Sequence, residues 1–179
     1  MTRLPPLDVI APDLVAACDY QRHALQRLDA NALAYLQGGA ADELTCQANL
    51  SVWQDWALLP RLLRDLRGGH TRCKLLGDTL QHPILLAPVA YQQLFHPEGE
   101  RATALAAGVM GGAAVLSSYA STALEEVAEA GNGPLWFQLY WQGDGARTLA
   151  LAERAAAAGY KALVLTVDAP VAGMRNREQ

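Results

Sequence analysis

His82-Pro83-Ile84-Leu85-Leu86-Ala87-Pro88-Val89-Ala90-Tyr91 is the stretch whose reading decides the fold. Its first half is a short apolar run punctuated by Pro83 and Pro88. That length and punctuation predict a strand buried on both faces rather than a helix. Pro88-Val89-Ala90-Tyr91 then reads as a stiff turn of small residues at the strand's C-terminal end. A helix start follows at His96-Pro97-Glu98-Gly99-Glu100. Proline suits the first helical position, and acidic side chains suit the positive end of the helix dipole. Strand, loop and helix make one α/β unit, in which the loop at the strand's C-terminal end is the usual place for chemistry.

Downstream the alternation repeats. The helix from Pro97 to about Ala107 ends at Gly108 and Gly111-Gly112, and a strand from Ala113 to Leu116 leads into Ser117-Ser118-Tyr119. Thr122-Ala123-Leu124-Glu125 has the capping-box pattern, and the helix it opens stops at Gly131. A strand from Leu135 to Tyr140 comes next. Asp144-Gly145 then opens an alanine-rich helix to Ala158, with Gly159 as its C′ residue. The last strand runs from Ala162 to Val167 and ends in Asp168-Ala169-Pro170. Units of roughly 20–30 residues suit a (β/α)8 TIM barrel of about 250 residues. The predicted class is therefore α/β, with residues 83–179 supplying about the first four β/α units of that barrel. Four strands cannot close eight, so the chain is expected to stop mid-fold, at Met174-Arg175-Asn176-Arg177-Glu178-Gln179. A doubly wound sheet is the alternative, but no glycine-rich dinucleotide turn follows the first strand.

Upstream, residues 1–82 read as a helical prelude and a connector. Ala11-Pro12-Asp13 leads into a helical pattern through Leu14, Cys18, His23, Leu25 and Leu28. Asn31 is predicted to cap a helix carrying Leu33, Tyr35 and Leu36, which stops at Gly38-Gly39. Asp42 is predicted to cap a third, through Leu44, Leu50 and Trp53. Leu58-Leu59-Pro60-Arg61 and Cys73 to Asp78 read as short strands and turns.

Of the 179 residues, 51% are hydrophobic and 18% charged, enough for a sizeable core and too apolar for disorder. Net charge is −4 with no basic block, so neither nucleic acid nor an anionic membrane is an expected partner. Cys18, Cys46 and Cys73 match no disulfide or metal spacing and read as reduced thiols. Met1-Thr2-Arg3-Leu4-Pro5-Pro6 lacks the apolar core of a signal peptide, and no run is long enough to span a bilayer. The cytoplasm is the expected compartment.

The predicted strand ends gather Pro88-Val89-Ala90-Tyr91, Ser117-Ser118-Tyr119, Gln138-Leu139-Tyr140 and Thr166-Val167-Asp168. Gln138 and Tyr140 lie two apart in a strand and point the same way. The set offers neutral donors and acceptors around a flat space, with no metal cluster, no Cys–His pair and no Ser–His–Asp order. It suits a planar heterocycle with a polar edge better than a hydrolytic nucleophile.

The sequence resembles the FMN-dependent 2-hydroxy-acid oxidases and dehydrogenases, the glycolate, lactate and mandelate or hydroxymandelate oxidase group. The carriers are Tyr35-Leu36-Gln37-Gly38-Gly39-Ala40-Ala41-Asp42-Glu43, Pro60-Arg61, Leu86 to Ala90, His96 to Glu100, Leu116-Ser117-Ser118, Phe137 to Tyr140 and Leu165 to Asp168. They span nearly the whole chain. Ala87-Pro88-Val89-Ala90-Tyr91-Gln92 looks most like the aryl-acid members. The resemblance implies FMN across the C-terminal strand ends, a small 2-hydroxy acid as substrate, a 2-oxo acid as product, and a homo-oligomer. It places Pro88, Val89 and Ala90 along the flavin, with the Ala90 backbone near N5. Ser117, Gln138 and Thr166 would bond the flavin's polar edge. Tyr35 and Arg175 would hold the substrate carboxylate, Tyr140 would bond the 2-hydroxyl as the catalytic group of this chain, and Tyr119 would line the pocket.

Val89 stands where several relatives have threonine. The larger departure is the family's general base, a histidine in the second half of the barrel, together with an arginine, a lysine and the phosphate segment there. His23, His70, His82 and His96 do not match it, so the chain is expected to be inactive without the missing C-terminal half of the barrel. Plainer readings stand beside these roles. Tyr35 is also a helix packing residue, Tyr140 a core aromatic, Ser117 and Thr166 strand-end hydroxyls, and Arg175 a solvated tail residue. Two other functions stay open: a catalytically incomplete half-barrel that only self-associates or binds ligand, and a different phosphate-binding barrel enzyme, against which the Tyr35 motif argues.

Overall fold

Backbone contacts divide the protein into two compact units, residues 1–66 with 171–179 and residues 67–170. The structure, a computed structural model, describes residues 9–169 and 171–178. The start Met1 to Pro6, Pro170 after the last strand, and Gln179 of the tail lie outside the described residues.

The first unit is helical. A 3-10 turn, Ala17–Tyr20, leads into α1 (Gln21–Arg27), followed by α2 (Ala30–Gln37), α3 (Leu44–Ser51) and a second 3-10 turn, Val52–Asp55. The predicted caps shift. Asp29, not Asn31, caps α2: its carboxylate accepts from the Ala32 amide at 2.8 Å. Asp42 does not cap α3, whose N-cap is Glu43 in the left-handed region at φ 60°. Glu43's carboxylate instead accepts from the Gly39 amide at 3.0 Å and pairs with Arg177 in the tail. The Ala41 amide donates to the Met174 carbonyl at 2.8 Å, a second tie between prelude and tail. The Leu58–Arg61 strand does not form. Those residues join no ladder, and Leu58 and Leu59 are 99% and 91% exposed. An isolated extended segment has no pairing partner to hold it as a strand.

The second unit opens with a hairpin, β1 (Cys73–Leu75) against β2 (Asp78–Leu80). Its two-residue turn, Leu76-Gly77, has φ of 47° and 91°, the backbone that a tight hairpin requires. Then come β3 (Leu85–Leu86), α4 (Gly99–Val109), β4 (Ala113–Leu116), α5 (Leu124–Ala130), β5 (Leu135–Leu139), α6 (Gly145–Ala157) and β6 (Leu163–Leu165). The four strands from β3 on are parallel, in the spatial order β3-β4-β5-β6. A doubly wound sheet reverses its order at a switch point, and this one does not. Ala114 and Leu116 of β4 and Leu135, Phe137 and Leu139 of β5 pack on Ala104, Ala107, Leu124, Val127 and Ala155 of the three helices.

Local signals hold where their partners are local. Asp144 caps α6 by accepting from the Arg147 amide at 2.8 Å, and Gly159 follows the helix at φ 92°. They fail where a distant group competes. Thr122 caps nothing: α5 starts after Ala123, and the Thr122 hydroxyl donates to Glu100 at 2.9 Å. Pro97 is not the first helical residue, because Gly99 at φ 47° begins α4 and donates to the His96 carbonyl in a separate turn. Nor is the first strand buried on both faces. β3 is two residues long at the sheet's edge, with Ile84 67% exposed. Among the described residues it pairs with β4 alone.

Glu100 is buried in the first turn of α4. Burial raises its pKa, but the amides of Ser121, Glu100 itself and Gln92 and the Thr122 hydroxyl outweigh this, so the folded value lies below the ordinary one. A depressed folded pKa contributes stability above the unfolded value, about 4.3, and that stability is lost as pH falls through the folded value. Urea unfolding across pH 6 to about 2.5 is predicted to show this loss in the native protein and a flatter acid limb in Glu100→Gln.

Candidate functional site

A strand packs alternate side chains on opposite faces. With Leu116, Phe137 and Leu139 committed to the helix layer, Ser117, Gln138 and Tyr140 turn the other way. The register carries that face to β6, where Val164 pairs with Gln138 and Thr166 lies two residues on. The result is a polar row across three neighbouring strand ends. Gln138 Oε1 accepts from the Ser118 amide at 3.1 Å, from Ser118 Oγ at 3.3 Å and from Ser117 Oγ at 3.4 Å. Gln138 Nε2 donates to Thr166 Oγ1 at 2.8 Å. Ser117 and Gln138 are buried, which shields the bond between them from water, while the bonds to Ser118 and Thr166 are part-buried.

Above the row stands a stack of three tyrosines. The rings of Tyr119 and Tyr140 are 5.2 Å apart at 29°, and those of Tyr91 and Tyr119 are 6.1 Å apart at 9°. The Tyr91 amide donates to the Tyr119 carbonyl at 3.0 Å, joining the loop after β3 to the loop after β4. Of the segment expected along a flavin, Pro88 and Val89 are exposed and Ala90 is half-buried. The Val89 carbonyl accepts from Gln92 Nε2 at 3.4 Å.

The structure thus brings Ser117, Gln138 and Thr166 into one hydrogen-bonded row and Tyr119 and Tyr140 into one stack. In the other unit it brings Arg175 onto Tyr35. The guanidinium lies 5.3 Å from the ring centroid, Nη2 donates to the Tyr35 carbonyl at 2.7 Å, and Nε pairs with Glu178. Arg175 is therefore held and half-buried, not a solvated tail residue.

The sequence groups Tyr91 and Ser118 with the strand ends without giving either a role of its own, and it does not single out Trp136. Ser118 has a signal, its place in the strand-end hydroxyl pair. Tyr91 closes the stretch that predicts the first strand. Trp136 lies two residues before Gln138 on the same face of β5, and its indole N–H is buried without a hydrogen-bond partner. Among the described residues no group of three His, Cys, Asp or Glu side chains is placed to hold a metal, and no helix is long and apolar enough to cross a membrane.

A neutral row of amide, hydroxyls and backbone N–H fits the edge of a flavin, which carries alternating donors and acceptors and no fixed cation. A model of the FMN-dependent dehydrogenase family matches residues 24–179. Over 168 residues the chain is 49% identical to an L-lactate oxidase of Alicycliphilus denitrificans, covering 94% of this chain and 46% of the relative. A 4-hydroxymandelate oxidase of Amycolatopsis orientalis is 42% identical over 164 residues, covering 92% and 46%. A solved mandelate oxidase with benzoyl-formic acid matches at TM-score 0.88 and 41% identity, over 92% of this chain and 49% of that one. The chain spans about half the length of the relatives it matches. Its parallel sheet and helices make up part of the TIM-barrel oxidase fold.

Truncating the amide strands the buried partners around it. Gln138→Ala is predicted to lose about 1–3 kcal/mol of stability, read as a fall in the urea midpoint at unchanged m-value.

Proposed function

We propose, from the premise that the chain belongs to the FMN-dependent dehydrogenase family, that it forms part of an enzyme oxidising an L-2-hydroxy acid to the 2-oxo acid. The family's cofactor is FMN. The observation that carries the reading is the Ser117–Gln138–Thr166 row, which spans three strand ends beside the ring of Tyr140. The names of the relatives, lactate and hydroxymandelate oxidases, support the substrate class, with lactate and an aryl acid such as mandelate as the two candidates.

In this reading Ser117, Gln138 and Thr166 exchange their mutual bonds for bonds to the polar edge of the bound cofactor. Pro88, Val89 and Ala90 offer backbone along its ring. Bound FMN would supply a sink for two electrons and for the 2-hydroxyl proton. The Tyr140 hydroxyl bonds the substrate's 2-hydroxyl oxygen and steadies it as the α-C–H bond breaks and the carbonyl forms. Tyr119 lines the pocket. Tyr35 and Arg175 are read as the carboxylate-holding pair, since a guanidinium binds a carboxylate in two-pronged fashion. The α-proton passes to a base that this reading assigns to the part of the fold the chain does not span, because none of His23, His70, His82 and His96 matches the family's base. On that reading these 179 residues alone are inactive.

The reading extends to a cytoplasmic homo-oligomer. Free Cys18, Cys46 and Cys73 support a reducing compartment. Exposed Ile84, Leu163 and Leu165 along the sheet support association. The same apolar exposure favours a second reading, a chain that associates without catalysis.

The test is the visible spectrum, under nitrogen, of the purified flavin-loaded protein with this chain joined to the remainder of the barrel, titrated with (S)-mandelate and with L-lactate. Bleaching by either acid is the expected result; an intact flavin spectrum that neither acid bleaches contradicts the oxidase reading and leaves the association reading. Tyr140→Phe is predicted to lower kcat/KM by about tenfold or more, the loss of one transition-state hydrogen bond. Arg175→Lys keeps the charge but loses the fork, and is predicted to raise KM in steady-state assays.

A further inference from the structure

Glu100 is 1% exposed, and its carboxylate serves two loops. Oε1 accepts from the Gln92 amide at 3.1 Å and from the Ser121 amide at 2.8 Å, and Oε2 accepts from the Thr122 hydroxyl at 2.9 Å. Gln92 belongs to the loop after β3; Ser121 and Thr122 belong to the loop after β4. The junction is reinforced by Gln93, whose amide donates to Ser121 Oγ and whose side chain donates to Thr122 Oγ1, both at 3.3 Å. Thr103 donates to Gln92 Oε1 at 2.6 Å, and Gln92 Nε2 reaches the Val89 carbonyl. Gly99 permits this closeness: a Cβ there would lie 2.9 Å from Gln93 Cγ.

The two loops joined in this way carry Tyr91 and Tyr119. Tyr91 has φ 54°, a backbone that a bulky residue rarely adopts and that surrounding contacts must hold. It sits one residue before the first amide that Glu100 accepts, and Tyr119 sits two before the second. Charge-assisted bonds from a buried carboxylate are the strong members of this set. Losing them removes the shared acceptor that ties the Gln92 and Ser121 amides and frees the loops to move apart.

We propose that Glu100 is a positioning residue for substrate selection: its carboxylate fixes the loops carrying Tyr91 and Tyr119, and the stack these form with Tyr140 sets which 2-substituent the site accepts. This rests on the oxidase reading above. It assigns Glu100 a role beyond helix-dipole compensation and brings Tyr91 into the substrate wall.

The experiment uses the flavin-loaded protein with this chain joined to the remainder of the barrel, and compares wild type with Glu100→Gln, Thr122→Val, Thr122→Ser and Tyr91→Ala, using (S)-mandelate and L-lactate. Glu100→Gln and Thr122→Val are expected to shift the ratio of the two kcat/KM values by at least about fivefold, in the direction Tyr91→Ala shifts it. Thr122→Ser, which keeps the hydroxyl, retains the wild-type ratio. Combining Glu100→Gln with Tyr91→Ala adds less than the sum of the two effects. In the flavin-free protein, Glu100→Gln weakens the near-ultraviolet circular dichroism of the stacked rings. Should Glu100→Gln not fold, the contrast between Thr122→Val and Thr122→Ser decides the question. Equal losses for both acids, with the ratio and the dichroism unchanged, overturn the inference alone. A wild type that oxidises neither acid overturns the oxidase reading and this inference with it.

Discussion

The two-residue side-chain period of a parallel strand is the constraint on which the site depends. Three helices cover one face of the sheet, and Leu116, Phe137 and Leu139 must meet them. Their neighbours Ser117 and Gln138 are thereby turned to the opposite face, where the register aligns them with Thr166. Shifting β5 by one residue would bury Gln138 among alanines and leucines and send Phe137 into the polar row. Packing and chemistry are thus set by one choice, and the hydrophobic energy of the core holds the polar geometry in place.

The loops beyond the strand ends have no such ladder and are held by side chains instead. Gln138 gathers the ends of β4, β5 and β6 through one amide group, and Glu100 gathers the two preceding loops through one carboxylate. Both are buried polar side chains with hydrogen bonds at both of their polar atoms, a condition under which burial rigidifies rather than destabilises. The stacked tyrosines rest on these two anchors.

The strands are legible in the sequence because their signals are local. Ala113 to Leu116 is an apolar run between glycines and hydroxyls, and it forms as read. Asp144 and Gly159 bracket α6 with chemistry that needs no distant partner. Asn31, Asp42 and Thr122 mislead because several residues near a helix start can cap it, and tertiary competition decides between them. Asp29 is the better-placed acceptor, Glu43 takes over from Asp42, and Glu100 captures the Thr122 hydroxyl. The polar row is visible as residue types at strand ends. Glu100 is visible only as an acid near a helix start, since nothing in the sequence tells that two loops fold back onto it. Leu58 and Leu59 carry strand composition without a ladder partner, which composition alone does not reveal.

The central claim is that the Ser117–Gln138–Thr166 row is the edge against which the cofactor lies. A crystal structure of the FMN-bound protein tests it most directly. The flavin's polar edge is predicted to lie within hydrogen-bond distance of the Gln138 and Thr166 side chains, with Ser117 and Gln138 no longer bonded to each other alone. A flavin bound elsewhere, with the row's mutual hydrogen bonds intact, would contradict it.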